Sequence, residues 1–171
     1  MNIRYISVDV EADGPCPGIY SMIGLGAVCV DDTKLNFCSK LIAPITDRYS
    51  PEALKAIAVT REDTIQHGDD PGKVMDEFST WISQICAHQR PVFVSDNNGF
   101  DWQFVNYYFH KYIGNNPFGY SSVNIGSLYK GLSKSMRANF KHLRDTPHTH
   151  NPLDDAMGNA EAMRKILRMM K

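Results

Sequence analysis

The sequence predicts a three-layer α/β domain, a mixed sheet flanked by helices, on three observations. Residues 3–42 hold three strand-like runs in quick succession. Beyond residue 50 the apolar spacing changes to a helical period. A short buried-strand pattern, Pro91-Val-Phe-Val-Ser95, then falls between two helical stretches. Close successive strands form an antiparallel meander, and a strand reached through helices adds parallel pairing, so the sheet is mixed.

The first strand is residues 3–10, Ile-Arg-Tyr-Ile-Ser-Val-Asp-Val, rich in branched and aromatic side chains. A turn-rich stretch, Asp13-Gly14-Pro15-Cys16-Pro17-Gly18, separates it from a second strand over 22–30. Asp31-Asp32 marks a turn, and 35–42 is the third strand. Ser50-Pro51-Glu52 has the form of a helix start, a cap residue followed by proline at the first helical position. A second helix spans about 71–87, with Val74, Phe78, Trp81, Ile82 and Ile85 on one face. After strand 91–95, residues 100–111 are helical, with Phe100, Phe104, Tyr107 and Tyr108 at helical spacing. The last helix starts after Asn151-Pro152 and carries the stripe Leu153, Ala156, Met157, Ala160, Met163, Leu167 and Met170. No repeat, low-complexity tract or linker divides residues 1–171, which are expected to form a single domain.

Composition narrows the class. With 43% hydrophobic and 22% charged residues, the chain is neither disordered nor fibrous. No run approaches the roughly 20 apolar residues of a membrane helix, and the N-terminus lacks a secretory signal, so a cytoplasmic protein is expected. Cys16, Cys29, Cys38 and Cys86 are scattered, without zinc-ligand spacing, and are read as reduced thiols. The formal charge of −1 by itself neither suggests nor excludes a nucleic-acid partner.

Asp9 and Glu11 stand two apart on the first strand, so alternation puts both on one face. Two adjacent carboxylates on a core strand repel and lose hydration, and so call for a cation. At a strand end open to water the same pair needs none. Asp101 follows Ser95-Asp96-Asn97-Asn98-Gly99-Phe100, a strand-to-helix junction where Asn97 or Asn98 can cap, and an acid in a first turn also simply complements the helix dipole. The same alternative holds for Asp154 and Asp155 after Asn151-Pro152. Helical geometry does not choose between those two, each lying roughly 130° from the centre of the apolar stripe. Loop histidines are ordinarily solvated, which is the reading for His67, His88, His110, His142 and His148.

Taken in order, Asp-x-Glu on the first strand, Asn-x-x-Phe-Asp at the junction and His-x-x-x-x-Asp near the C-terminus resemble the DEDDh exonucleases. That superfamily includes RNase T, oligoribonuclease and the proofreading subunits of replicative DNA polymerases. The resemblance runs from residue 6 to about residue 167, and Met22-Ile-Gly-Leu-Gly-Ala-Val28 is similar to the family's second strand. It implies a ribonuclease-H-like fold, with Asp9, Glu11, Asp101 and Asp155 as metal ligands, Asp9 bridging, and His150 completing the catalytic set. The five-residue step from His150 selects Asp155 over Asp154. Three positions depart from the pattern: Ala12 where a hydroxyl residue is frequent, Gly24 where an acid is common, and Pro152 in place of a small residue.

Phosphodiester hydrolysis needs an activated water, neutralised phosphate charge and help for the departing 3′-oxygen, which two divalent ions supply. A set of four carboxylates without cysteine suits two hard ions, Mg²⁺ or Mn²⁺. His150 is the natural general base. Between Trp102 and Arg144 there is no acid, whereas Lys111, Lys130, Lys134, Arg137, Lys141 and Arg144 are basic, which suits a phosphate backbone. Candidate strand contacts are Asn97, Phe104, Lys130, Lys134, Arg137 and Lys141. Tyr107, Tyr108, Tyr112, Phe118, Tyr120 and Tyr129 share the region and either stack on bases or, for most, pack the core. The implied activity is a 3′–5′ exonuclease releasing nucleoside 5′-monophosphates from single-stranded RNA or DNA 3′ ends. RNA is favoured by family analogy, since no polymerase domain is attached, and a homodimer is left open. A DNA or proofreading-type exonuclease is the first alternative. A catalytically silent nucleic-acid-binding relative and a mononucleotide phosphohydrolase are the others.

Overall fold

A computed structural model describes residues 2–170. Strands β1 (Ile3–Ala12), β2 (Met22–Cys29) and β3 (Asn36–Ser39) form the expected meander. β4 (Arg90–Ser95) joins β1 in parallel, and a three-residue β5 (Ser122–Asn124) joins β4 in parallel. The sheet order is β3-β2-β1-β4-β5. The helices are α1 (Pro51–Ala56), α2 (Arg61–His67), α3 (Pro71–Cys86), α4 (Asn98–Tyr112), α5 (Ile125–Leu132) and α6 (Pro152–Met169). None among the described residues is long and apolar enough to cross a membrane.

Strand alternation divides the molecule. Ile6, Val8 and Val10 of β1 pack with Met75, Phe78 and Ile82 of α3 and Phe104, Val105 and Tyr108 of α4 in one core. On the opposite face Val28, Val92 and Val94 pack with Ala156, Ala160, Met163 and Ile166 of α6. Sheet and two helical layers follow directly. Ser7, Asp9 and Glu11 therefore face the α6 layer.

The observed elements differ from expectation where local signal is short. α2 is seven residues with one buried side chain, Thr64, and its start is fixed by a reciprocal capping box between Thr60 and Asp63. β5 and α5 lie inside what reads as a basic connecting stretch. The stripe of α6 is also shifted: Met170 is exposed, whereas Asp155, Asn159, Ala162 and Ile166 are buried. The helix packs flat on the sheet, so polar Asp155 and Asn159 belong to its buried face.

Candidate active site

β1 carries the acidic pair to the edge of the second layer. In the antiparallel register Asp9 lies opposite Gly26 and Glu11 opposite Gly24. The start of α6 rests on Gly26, whereas a Cβ at Gly24 would first meet Glu11 Cβ, at 3.2 Å. A Cβ at Gly26 would collide with the Pro152 carbonyl and lie 2.6 Å from Leu153 N, and one at Gly24 would sit 3.4 Å from the Pro152 ring. Asn151 caps α6, its Oδ1 accepting from Leu153 N at 3.0 Å. Asp155, one turn in, is thereby pressed against the acids of β1. One ligand atom from each of Asp9, Glu11 and Asp155 lies within 4.8 Å of the others.

Asp101 arrives from the other side. β4 has already ended where β1 reaches Val10, and Asp101 in the first turn of α4 takes over the free strand amide: Val10 N–H donates to Asp101 Oδ1 at 3.2 Å. Its Oδ2 is fully buried and has no hydrogen-bond partner. Such an orphan is costly unless something positive meets it.

The electrostatics agree. Burial, followed by Asp101, Glu11, Asp155 and Asp96, holds the Asp9 carboxyl well above the usual carboxylate range. Glu11 is pushed up to about 8 by burial and then by Asp155. Burial pushes Asp101 up to about 8, with Asp96 and Glu11 adding, against the opposing influence of the nearby Ser95 hydroxyl and the Val10 amide. Asp9, Glu11 and Asp101 resist ionising together at neutral pH, and a divalent cation would relieve them. An all-oxygen set with an unpaired carboxylate oxygen fits hard divalent ions.

Asp155 and Asp154 part company. Asp155 is 1% exposed; Asp154 turns outward and accepts from Thr149 Oγ1 at 2.9 Å. Asp155 Oδ2 accepts the His150 N–H at 3.0 Å, and Oδ1 the Thr149 N–H at 3.3 Å. These bonds hold His150 at φ +59°, a left-handed conformation uncommon outside glycine. The His150 ring is exposed and lines a cleft of about 270 Å³ with Glu11, Lys40, Ile57, Val59 and Pro152.

The strand-contact candidates divide. Asn97, Lys130, Arg137 and Lys141 line one cavity of about 490 Å³ that reaches Asp96, beside the acid cluster. Lys134 lines a neighbouring hollow with Lys130 and Met136. Phe104 is a correction: it is completely buried beneath the sheet, 5.1 Å from Phe100 centroid to centroid, and offers no face to a base. Helical spacing shows that Phe104 has a buried face but not that the whole ring is inside. Tyr108 and Phe118 are core residues too, whereas Tyr120 is fully exposed.

Several participants were not legible in the sequence. His148, read as solvated, places Nδ1 2.7 Å from Asp155 Oδ1, and its ring lies edge-on to His150 at 4.3 Å. Arg144, read as one more basic residue, pairs with Asp155 from inside the protein. Asp96 acts on both Asp9 and Asp101, and Lys40 brings a cation to the cleft beside Glu11. No local spacing in the sequence points to the first two.

No family model matches the chain. It is 37% identical over 173 residues to a 3′-5′ DNA exonuclease, Cap18, of Escherichia coli, covering 95% of this chain and 90% of that protein. It is 25% identical over 175 residues to a PolC-type DNA polymerase III of Thermotoga petrophila, spanning 99% of this chain but 12% of the polymerase. Among solved structures, the nuclease domain of 3′hExo, a DEDDh family member bound to rAMP, superposes with a TM-score of 0.75 at 16% identity, over 98% of this chain and 92% of that one. E. coli exonuclease I in a complex with single-stranded DNA superposes with a TM-score of 0.71 at 14% identity, over 100% of this chain and 41% of that one. At these identities the structural likeness is one of fold.

Proposed function

The chain belongs to the DEDDh 3′–5′ exonucleases, and from that premise we propose that Asp9, Glu11, Asp101 and Asp155 hold two Mg²⁺ or Mn²⁺ ions, with His150 as general base. The observation that carries this is the grouping of one ligand atom each from Asp9, Glu11 and Asp155 within 4.8 Å, with the buried Asp101 near enough to act on Asp9 and its Oδ2 unpaired. Bound ions supply charge neutralisation at the phosphate and a more acidic water. The chain's own part is placement. Asp155 accepts the His150 backbone N–H, so the imidazole stands at the mouth of the cleft that Glu11 lines. There the imidazole takes the proton as water adds to phosphorus and the 3′-oxygen departs, leaving a nucleoside 5′-monophosphate.

The incoming strand follows the cavity of Asn97, Lys130, Arg137 and Lys141, with Lys134 beside it. These cations neutralise backbone phosphates without reading sequence. Single-stranded DNA is the proposed substrate, because the relative matched over nearly its whole length is named a DNA exonuclease. RNA, expected on family analogy, is the competing substrate. Matched 5′-labelled DNA and RNA oligomers with Mg²⁺ or Mn²⁺ decide the matter. DNA should shorten stepwise to a ladder, faster than RNA. A faster RNA ladder would reverse the substrate, and an internal cut or full activity in chelator would overturn the mechanism.

A further inference from the structure

We infer that Arg144 is a positioning residue for Asp155 and for the loop that carries His150, and not a strand-binding cation of the basic segment. The inference rests on the nuclease reading of the site. The Arg144 side chain is 6% exposed, and its Nη2 donates to Asp155 Oδ1 at 2.8 Å. Its Nε donates to the Thr146 carbonyl at 3.3 Å, so one planar guanidinium holds both the carboxylate and the start of the 145–150 loop. The same loop is fastened by Glu161, which accepts from the Asp145 and Thr146 amides at 2.8 Å each. Its far end closes on Asp155 through the Thr149 and His150 amides. Arg144 thus braces a closed ring of bonds whose last member is the candidate base.

Room for this brace is built into α6. A Cβ at Gly158 would meet Arg144 Nη2 at 2.7 Å and the Thr146 carbonyl at 2.6 Å. A glycine in mid-helix costs about 0.5–1 kcal/mol against alanine, and here it leaves the space the guanidinium fills. Arg144 and His148 both meet Asp155 Oδ1 while Oδ2 takes the His150 amide, so the carboxylate is held from both of its oxygens. Outer contacts of this kind orient a ligand, and losing one typically lowers metal affinity or activity by about 10–100-fold.

The test uses the full chain with three variants: Arg144→Met, Arg144→Lys, and Gly158→Ala, which displaces the guanidinium and keeps every charge. Mn²⁺ binding is measured by calorimetry without substrate. kcat, KM and the salt dependence of binding are measured on a single-stranded oligomer, and Arg144→Met is combined with His150→Ala. All three single variants should bind Mn²⁺ about 10-fold or more weakly and lose kcat, with KM and the salt slope unchanged. Lysine should rescue poorly, because it lacks the fork. In the His150→Ala background the Arg144→Met effect on kcat should shrink, since the two act through one arrangement. A salt slope lowered by about 0.7, with Mn²⁺ affinity intact, would make Arg144 a phosphate contact and overturn the inference. Equal losses with and without His150, or wild-type behaviour of Gly158→Ala, would overturn it as well. If wild type itself bound no Mn²⁺ and cut no strand, the nuclease reading would fall first.

Discussion

At the scale of single residues, the neighbouring acids Asp154 and Asp155 and the near-neighbours His148 and His150 are chemically alike and differ only in where the chain points them. Asp155 is buried with one ligand oxygen within 4.8 Å of those of Asp9 and Glu11, while Asp154 bonds Thr149 at the surface. Asp155→Asn should therefore abolish activity and Asp154→Asn should leave most of it, measured as initial rates on a 5′-labelled oligomer. Comparable loss from both would mean that burial is a poor guide to the ligand here. For the histidines the geometry is less one-sided, since His148 touches Asp155 by side chain and His150 by backbone. His150→Ala should lower kcat by about 10²–10⁴, the usual worth of a general base. His148→Ala should cost less, because it removes one of several bonds to Asp155. If the two losses match, His148 is the base. The residue spacing in the sequence pointed to Asp155 and His150, and Asp155 lies buried beside Asp9 and Glu11. It was silent on Arg144 and His148, because their roles depend on a loop folding back onto α6, which no local pattern encodes.

At the scale of elements, the long periodic segments were legible and the short ones were not. α3 and α6 each carry several apolar residues at helical spacing and lie where expected, within a residue or two. α2 buries one side chain, and β5 is three residues held by its pairing with β4, so neither has a pattern long enough to read. Two departures from the family pattern lie near one another in three dimensions: a Cβ added at Gly24 would be 3.4 Å from the Pro152 ring, an ordinary contact. Gly26 makes the closer approach, to the Pro152 carbonyl, and sets the depth at which α6 docks. Gly26→Ala should force that helix outward, costing about 1–3 kcal/mol as overpacking does. Activity should fall further than stability explains, because Asp155 moves with the helix. Thermal unfolding together with rates taken well below the midpoint separates the two effects, and retained activity would show that α6 tolerates the shift. The basic stretch has its own element-scale outcome. Neutralising Lys134, Arg137 and Lys141 together should lower the log–log salt slope of binding by about 0.7 for each backbone phosphate left without its cation. An unchanged slope would make them an ordinary solvated face.

For the whole molecule, the acid cluster sets a conflict between stability and function that runs through the fold. β1 brings two carboxylates, and α4 and α6 one each, to one region, and the native state without metal bears their repulsion. Glu11 and Asp101, at about 8, lie far above their ordinary values, so the folded chain holds these protons more tightly than the unfolded chain does. Stability from that difference is fully present below the ordinary carboxylate range of about 4 and is lost as pH rises through about 8. In chelator the midpoint of wild type should accordingly fall from about pH 5 to about pH 9. A divalent ion held by these acids would oppose this trend, displacing those protons and adding stability to the native state by mass action. Asp101→Asn isolates the effect: the amide oxygen can still accept from Val10 N–H, and the buried negative charge is gone. In chelator the variant should be the more stable protein at the alkaline end, with a flatter pH profile, and it should be inactive, a trade of function for stability. Losing a first-turn charge costs only about 0.3–1 kcal/mol, enough to mask weak repulsion but not the strong repulsion this burial implies. Excess Mg²⁺ should raise the wild-type midpoint more than that of the variant. Equal rises would mean that Asp101 holds no metal, and its unpaired oxygen would need a different explanation.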